Sequence, residues 1–187
     1  PYWADELPSF GVDYRTTNIV LFQDQVNTAC GGATSAVGPF YCPPDETIYI
    51  DTSFYAELQS QFGSSGGPLA QMYVVAHEWG HHIQNLAGIL ERAQDGDTGP
   101  TSNSVRTELQ ADCFAGSWAA AASQTVDENG VPFLQPITRD QYAQAIDAAA
   151  AVGDDRIQEA TQGQVNPHSF THGSSEQRVN WFETGYE

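Results

Sequence analysis

The centre of the chain carries apolar residues at spacings of three and four, after the glycine-rich stretch GSSGG. These apolar positions are Met72, Val75, Trp79, Ile83, Leu86 and Leu90. Such spacing is typical of one face of an α-helix, and a proline at position 68 suits a first helical turn. The pattern predicts a helix over residues 68–86, with Gly88 close to its end.

Two later segments repeat the helical spacing. The apolar positions of the first are Val105, Leu109, Cys113 or Phe114, and Trp118. They predict a second amphipathic helix that runs to about residue 123. Thr138 and Gln141 match a capping box, so we expect a third helix to residue 151, which the pattern lets continue to residue 158. The tail mixes turn residues with a short helix from Ser175.

Two runs of β-branched and aromatic residues precede these helices. NIVLFQ at residues 18–23 and TIYIDTSF at residues 47–54 are bounded by turn residues, which predicts two strands. The glycine- and proline-rich stretch between them, CGGATSAVGPFYCPPDE, is expected to form a loop. Residues 1–18 are polar, show no clear period and are expected to wrap the surface. The strands and helices together predict an α+β fold.

The three cysteines have different predicted roles. Cys30 and Cys42 bracket the loop, and a disulfide between them would stabilise the fold by about 3 kcal/mol by restricting the unfolded chain. Cys113 lies within an apolar helical pattern, so we expect a buried free thiol there. A disulfide suits an oxidising compartment, which favours a secreted or extracytoplasmic location. The chain begins abruptly at Pro1 without a signal peptide, as expected of a processed or truncated chain.

Composition and charge exclude several function classes. The 187 residues are enough for one compact domain, and no repeat or linker divides residues 1–187, so we expect a single-domain monomer. The formal net charge is −18, and all six basic residues are arginine. The lack of lysine excludes a Schiff-base or phosphate-loop lysine, and the scarcity of cations argues against nucleic acid and anionic membranes as partners. No apolar run is long enough to span a bilayer, so membrane insertion is not expected.

The segment HEWGHH lies within the first predicted helix and carries the candidate chemistry. His77 and His81 are one turn apart and within about 40° of each other around the helix axis, so both imidazoles reach one metal ion. Glu78 lies beside them, free to hold a water molecule. Trp79 is expected to be buried and to anchor the helix. Because a catalytic zinc site takes three protein ligands and keeps one open position, this spacing predicts one catalytic Zn²⁺ and a third ligand elsewhere.

The third histidine of the segment is not expected to bind the metal. His82 points about 140° away from His77 around the axis, and is expected to be exposed or hydrogen-bonded for structural reasons. A metzincin would need glycine at position 84 and histidine at position 87, but the chain has Gln84 and Ala87, which excludes that class.

The second predicted helix offers the missing ligand in the segment TELQAD. Glu108 and Asp112 share one face at a spacing of four, which lets one carboxylate bind the metal while the other accepts a hydrogen bond from a ligating imidazole. We assign Glu108 as the ligand and Asp112 as that acceptor; the alternative is two acids on a solvated helix face. In the tail, His172 is a candidate to stabilise the oxyanion of a tetrahedral intermediate, with His168 as its competitor, and either is also compatible with a surface-loop histidine.

Four segments, in this order and at these separations, resemble the putative neutral zinc metallopeptidase family of bacteria. They are GPFYCPPDETIYID, AHEWGHHIQNL, VRTELQADCFAGSWA and FTHGSSEQRVNWF. The resemblance covers most of the chain after about residue 11, and its middle two segments are the specific ones. It implies a zincin-like metalloprotease fold, in which a small mixed β-sheet packs on the helix over residues 68–86 with further helices around it. It also implies His77 and His81 as zinc ligands, Glu78 as catalytic base and Glu108 as third ligand. It also favours His172 over His168.

The leading hypothesis is a secreted zinc endopeptidase of gluzincin type that cleaves a peptide or protein substrate. Glu78 would act as general base, and the edge of the sheet would receive an extended substrate by strand addition. One alternative is a zinc amidohydrolase that acts on a non-protein amide such as a cell-wall component. Another is a non-catalytic binding domain that contains zinc, although a structural site has no use for the base Glu78 beside an open coordination position.

Overall fold

The computed structural model describes residues 1–93 and 95–187, and its elements make an α+β fold, as predicted. The helices are α1 (Tyr2–Glu6), α2 (Phe54–Ser60), α3 (Pro68–Leu86), α4 (Ile89–Ala93), α5 (Asn103–Ala122), α6 (Arg139–Ala151), α7 (Asp154–Gln162) and α8 (Ser175–Tyr186). The strands are β1 (Asn18–Phe22), β2 (Gln25–Thr28), β3 (Gly31–Thr34), β4 (Phe40–Cys42) and β5 (Thr47–Asp51). No helix in these ranges combines the length and apolarity needed to cross a membrane.

The main sheet is small and mixed. β5 lies in its centre with every residue buried, β1 pairs with it in parallel, and β4 pairs with its other side in antiparallel. Both predicted strands are confirmed, although β5 ends at Asp51 rather than at residue 54, where α2 begins. β4 is the third strand of the sheet. Because β4 and β5 also contact α3, the sheet rests on the helix that carries the HEWGHH segment.

The stretch between the predicted strands is more ordered than expected. β2 and β3 form an antiparallel hairpin in which Gln25 lies opposite Thr34, and β4 lies in the same stretch, so the prediction of one loop is wrong. Glycine is depleted in strands because it offers no side chain to pack, so Gly31 and Gly32 concealed β3 in the sequence pattern. The structure joins Cys30 and Cys42 in a disulfide, with their Cα atoms 5.9 Å apart, as predicted.

The helix predictions hold, with one correction. α3 has the predicted bounds, and the capping box of Thr138 and Gln141 begins α6. The continuation to residue 158 is wrong, because α6 ends at Ala151 and α7 is a separate helix. Gly153 lies between them, where a Cβ atom would come within 2.3 Å of the backbone nitrogen of Ser175. The start of α8 passes so close to this glycine that a side chain at position 153 would clash with it.

Small residues let the long helices approach closely around the core. α3, α5, α6 and α8 pack on one another, and many of the buried residues between them are alanines. Where α3 crosses α5, a Cβ atom on Gly80 would lie 3.1 Å from the Cα atom of Ala111. This crossing brings the histidines of α3 against the acidic face of α5.

Three local predictions need correction. Residues 1–18, whose sequence shows no clear period and which were expected to wrap the surface, contain α1 and a 3-10 turn, Leu7–Phe10, whose Leu7 is buried. Cys113 is free, as expected, but only half-buried. Trp79 is also half-buried, and it packs toward the sheet against Ile48 and Ile50.

Candidate metal centre

Three side chains converge where α3 crosses α5. Nε2 of His77 lies 3.1 Å from Oε2 of Glu108, and Nε2 of His81 lies 3.4 Å from Oε1 of the same carboxylate. The two imidazole rings are 4.8 Å apart and nearly perpendicular. One ligand atom from each of these residues lies within 4.8 Å of the other two, so a single ion can bind all three. The structure therefore brings together the three residues that the sequence singled out as ligands.

The outer nitrogens of both imidazoles are also satisfied. Nδ1 of His77 donates to Oδ1 of Asp112 at 2.8 Å, and Nδ1 of His81 donates to Oε1 of Gln84 at 2.8 Å. When Nδ1 carries the proton, the lone pair of Nε2 is free to bind a metal, and ligating histidines are held in this way. Two neutral imidazoles and one carboxylate form a donor set that fits Zn²⁺.

Asp112 anchors this arrangement from inside the protein. It is 0% exposed, and it accepts hydrogen bonds from the hydroxyl of Tyr73 at 2.6 Å and from Nε of Arg178 at 2.9 Å, besides that from His77. The alternative of a solvated acidic face is wrong for Asp112. Sequence reasoning missed Tyr73 and Arg178; a signal for Tyr73 was its position four residues before His77 on the same helix face.

The carboxylates and imidazoles of the site shift one another's pKa values. Burial alone lowers the pKa of His77, but the carboxylates of Asp112 and Glu108 outweigh it and raise this pKa to about 10. Burial alone raises the pKa of Glu108, but His81 and His77 hold it well below its usual range. Glu108 is therefore ionised. A bound cation would stabilise its negative charge in place of the protons on the imidazoles, which must be neutral to act as ligands.

Glu78 lies in the same cleft as the three converging side chains. Its side chain is buried, and this burial raises its pKa above the ordinary value. The cleft has a volume of about 550 Å³. Residues 37–41 and 43, which include two residues of the edge strand β4, line this cleft together with residues of α3.

The remaining histidines take different positions. His82 is 0% exposed; it contacts the hydroxyl of Tyr41 through Nδ1 at 2.9 Å and the carbonyl of Arg15 through Nε2 at 2.7 Å. It is held for structural reasons, and the alternative of an exposed His82 is wrong. His168 is exposed on a 3-10 turn and is not among the residues that line the cleft.

His172 lies at the rim of the cleft with half of its side chain exposed. Its Nδ1 is 3.2 Å from Oδ1 of Asp154, whose Oδ2 accepts hydrogen bonds from the backbone N–H groups of Thr171, His172 and Gly173. Asp154 thus fixes both the loop and the ring. Sequence patterns could not identify Asp154 as this partner, because it lies 18 positions before His172.

Comparison with known families agrees with this geometry. The whole chain, residues 1–187, matches the family model described as "Putative neutral zinc metallopeptidase". The chain belongs to this family. An uncharacterised protein of Mycobacterium tuberculosis is 55% identical to it over 186 residues, which are 99% of this chain and 62% of that relative. The uncharacterised protein YpfJ of Escherichia coli K12 is 42% identical over 190 residues, which are 99% of this chain and 63% of YpfJ.

Membership of the family described as "Putative neutral zinc metallopeptidase" supports a zinc hydrolase. The chain spans about 62% of the length of the curated relatives it matches, and their names state no substrate. No solved structure matches the chain, so the zincin-like fold stays a prediction within the α+β class. Among the segments that suggested this family, AHEWGHHIQNL supplies His77, Glu78 and His81, and VRTELQADCFAGSWA supplies Glu108 and Asp112.

Proposed function

We propose that this chain is the catalytic domain of a zinc-dependent endopeptidase. The observation that carries this proposal is the convergence of Nε2 of His77, Nε2 of His81 and the carboxylate of Glu108 on one point, within 4.8 Å of one another. The buried carboxyl of Glu78 lies in the same cleft. Three protein ligands beside a proton-transfer group are the parts of a catalytic rather than a structural zinc site.

Zinc held by these residues would supply Lewis-acid chemistry, which acidifies water and polarises a carbonyl oxygen. Glu78 removes one proton from the water as its oxygen attacks the carbonyl carbon of the substrate. The same carboxyl then gives this proton to the amide nitrogen as the C–N bond breaks. Burial raises the pKa of Glu78, which makes the carboxylate a better base and lets it act later as an acid.

His172 is the proposed donor to the developing oxyanion. Its Nδ1 is engaged by Asp154, which leaves Nε2 as the nitrogen that can face a substrate. The hydrogen bond from His172 to Asp154 favours the protonated ring and helps to raise its pKa, against the lowering effect of burial. A protonated Nε2 is a donor, as oxyanion stabilisation requires.

The shape of the cleft favours an extended peptide as substrate. Phe40 and Tyr41 belong to β4, an edge strand of the sheet, and both line the cleft beside the metal ligands. An extended chain can pair with such an edge through its backbone, which would place a peptide carbonyl against the ligands. The disulfide between Cys30 and Cys42 supports action outside the cytoplasm.

The test is the metal content of the purified protein after loading with zinc, compared with that of Glu108→Ala. We expect about one zinc per parent chain and little in the variant, because two imidazoles alone bind the ion weakly. Glu159→Ala, at an exposed position of α7, is the matched control and should equal the parent. A folded parent that takes up no zinc contradicts the proposal. Assays of the loaded protein on unfolded proteins and on cell-wall fragments then separate an endopeptidase from an amidohydrolase of non-protein amides.

A further inference from the structure

Gln84 connects α3 to α5 directly behind His81. It is 0% exposed. Its Oε1 accepts the hydrogen bond from Nδ1 of His81 at 2.8 Å, while its Nε2 lies 2.7 Å from the carbonyl oxygen of Thr107 and 3.0 Å from Oε1 of Gln110. Thr107 immediately precedes Glu108, so this amide links one candidate ligand to the backbone beside another.

The direction of each hydrogen bond around Gln84 is fixed by chemistry. A backbone carbonyl only accepts, so the NH₂ group of Gln84 must face Thr107 and its oxygen must face His81. An amide oxygen also only accepts, so Nδ1 of His81 must carry the proton. In the neutral ring, which is the form that binds a metal, the lone pair then lies on Nε2, the nitrogen 3.4 Å from Oε1 of Glu108. The opposite amide orientation would place two acceptors against each other and leave a buried donor unpaired, at a cost of about 1–3 kcal/mol.

The two imidazoles of the site are therefore held by different kinds of acceptor. His77 donates to the carboxylate of Asp112, which pairs with Arg178. His81 donates to a neutral amide, whose own NH₂ group donates to the carbonyl oxygen of Thr107 and to the side-chain amide oxygen of Gln110. A carboxylate at position 84 would face the carbonyl of Thr107 without a proton to donate, so a neutral amide is the group that satisfies both sides of this contact.

We propose that Gln84 is a positioning residue of the metal centre, which holds His81 in the tautomer and orientation that aim Nε2 at the ion. This inference rests on the proposed zinc site. Gln84 thus joins the three ligands and Asp112 as a further residue of the site. It acts through His81 and touches neither the ion nor the substrate.

The first test is zinc affinity, measured by competition with a chromophoric chelator at fixed pH. Gln84→Met keeps the length of the side chain but removes the oxygen that accepts the hydrogen bond from His81. Loss of a hydrogen bond that orients a ligating histidine should weaken zinc binding about 10- to 100-fold. Gln110→Leu is the matched control, because it removes one partner of the Gln84 amide and leaves the bond to His81. The zinc affinity of Gln110→Leu should stay within about two-fold of the parent value. This should hold even if the two variants lose the same amount of thermal stability.

A spectroscopic readout separates positioning from general packing. With Co²⁺ in place of zinc, the d–d absorption bands should change in Gln84→Met and stay unchanged in Gln110→Leu, because only the former releases a ligating ring. If Gln84→Met does not fold, nitrogen NMR of the zinc-loaded parent can show which ring nitrogen of His81 carries the proton and which binds the metal. Protonated Nδ1 and metal-bound Nε2 at His81 support the inference, and the reverse assignment overturns it.

The outcomes also distinguish this inference from the proposed function. A parent that binds zinc tightly, together with a Gln84→Met variant that binds it equally well, overturns the role of Gln84 and leaves the zinc site standing. Equal weakening by Gln84→Met and Gln110→Leu reduces Gln84 to a packing residue and overturns its role as well. A folded parent that binds no zinc defeats the proposed function, and this inference with it.

Discussion

Arg178 and Asp112 form a buried ion pair directly behind His77. Nε of the arginine lies 2.9 Å from Oδ2 of the aspartate, and the two side chains are 4% and 0% exposed. Arg178 belongs to α8 and Asp112 to α5, so the last helix of the chain supports the carboxylate that orients an imidazole of α3. The tail is therefore part of the scaffold of the candidate metal centre.

Removal of Arg178 should destabilise the protein strongly. In Arg178→Met the carboxylate of Asp112 stays buried without its partner, and breaking a buried pair from one side costs about 3–5 kcal/mol. Urea unfolding of the metal-free protein measures this loss. Arg139→Met, at the exposed start of α6, is the control and should change the free energy of unfolding by less than about 0.5 kcal/mol. A loss below about 1 kcal/mol in Arg178→Met would mean that Asp112 does not need the guanidinium.

Glu78→Gln should separate metal binding from catalysis. The amide cannot take a proton, so turnover of an unfolded protein substrate should fall about 10²- to 10⁴-fold, while zinc content stays at the parent value. The comparison uses kcat and elemental analysis on the same preparations. Glu91→Gln, at an exposed position of α4, should retain both properties. Retained turnover in Glu78→Gln would remove Glu78 from the proposed mechanism.

Gly116→Ala should disrupt the contact between α5 and α8. A Cβ atom at this position would lie 2.0 Å from the carbonyl oxygen of Phe182 and 2.9 Å from the nitrogen of Tyr186. Alanine is the better helix former by about 1 kcal/mol, yet overpacking against backbone should outweigh this gain and lower stability by at least about 2 kcal/mol.

The control for this prediction is Gly32→Ala in β3. Its Cβ atom would come no closer than 3.6 Å to Oδ1 of Asn27, which is an ordinary contact. Thermal unfolding should show a much lower midpoint for Gly116→Ala and nearly the parent midpoint for Gly32→Ala. Similar midpoints for the two variants would indicate that α8 moves away from α5 without cost.

Asp154 should give the stability of the protein a dependence on pH. Burial alone raises its pKa, but hydrogen bonds from the side chain and backbone of His172 and the backbone of Gly173 outweigh it and hold this pKa below the ordinary value. Because the folded pKa is depressed, the stabilisation is complete above the unfolded pKa of about 4 and is lost as pH falls through the folded pKa.

Asp154→Asn measures this contribution. At pH 6 the variant should be less stable than the parent by about 1–3 kcal/mol, as expected for hydrogen bonds to a charged group. The difference between parent and variant should shrink at pH 3, in urea unfolding of the metal-free proteins. If the parent and Asp154→Asn differ in stability by the same amount at both pH values, the charge of Asp154 does not stabilise the loop.

The sequence alone determined the local features of this protein. Helical spacing set the bounds of α3, and the pair of Thr138 and Gln141 marked the start of α6, because both signals depend on residues a few positions apart. The same locality placed His77 and His81 on one helix face. It also placed Glu108 and Asp112 on one face of another helix.

Only the tertiary structure decided how these faces meet. The close contact of Gly80 and Ala111 brings the candidate ligands of two helices together. The side chains that support these ligands come from distant positions in the sequence, as Arg178 does for Asp112. A buried donor or acceptor is costly unless it finds a partner, and that partner is chosen by packing in space rather than by spacing along the chain. For the same reason the hairpin of β2 and β3 escaped prediction, since pairing between strands holds it together and its own glycines give no strand signal.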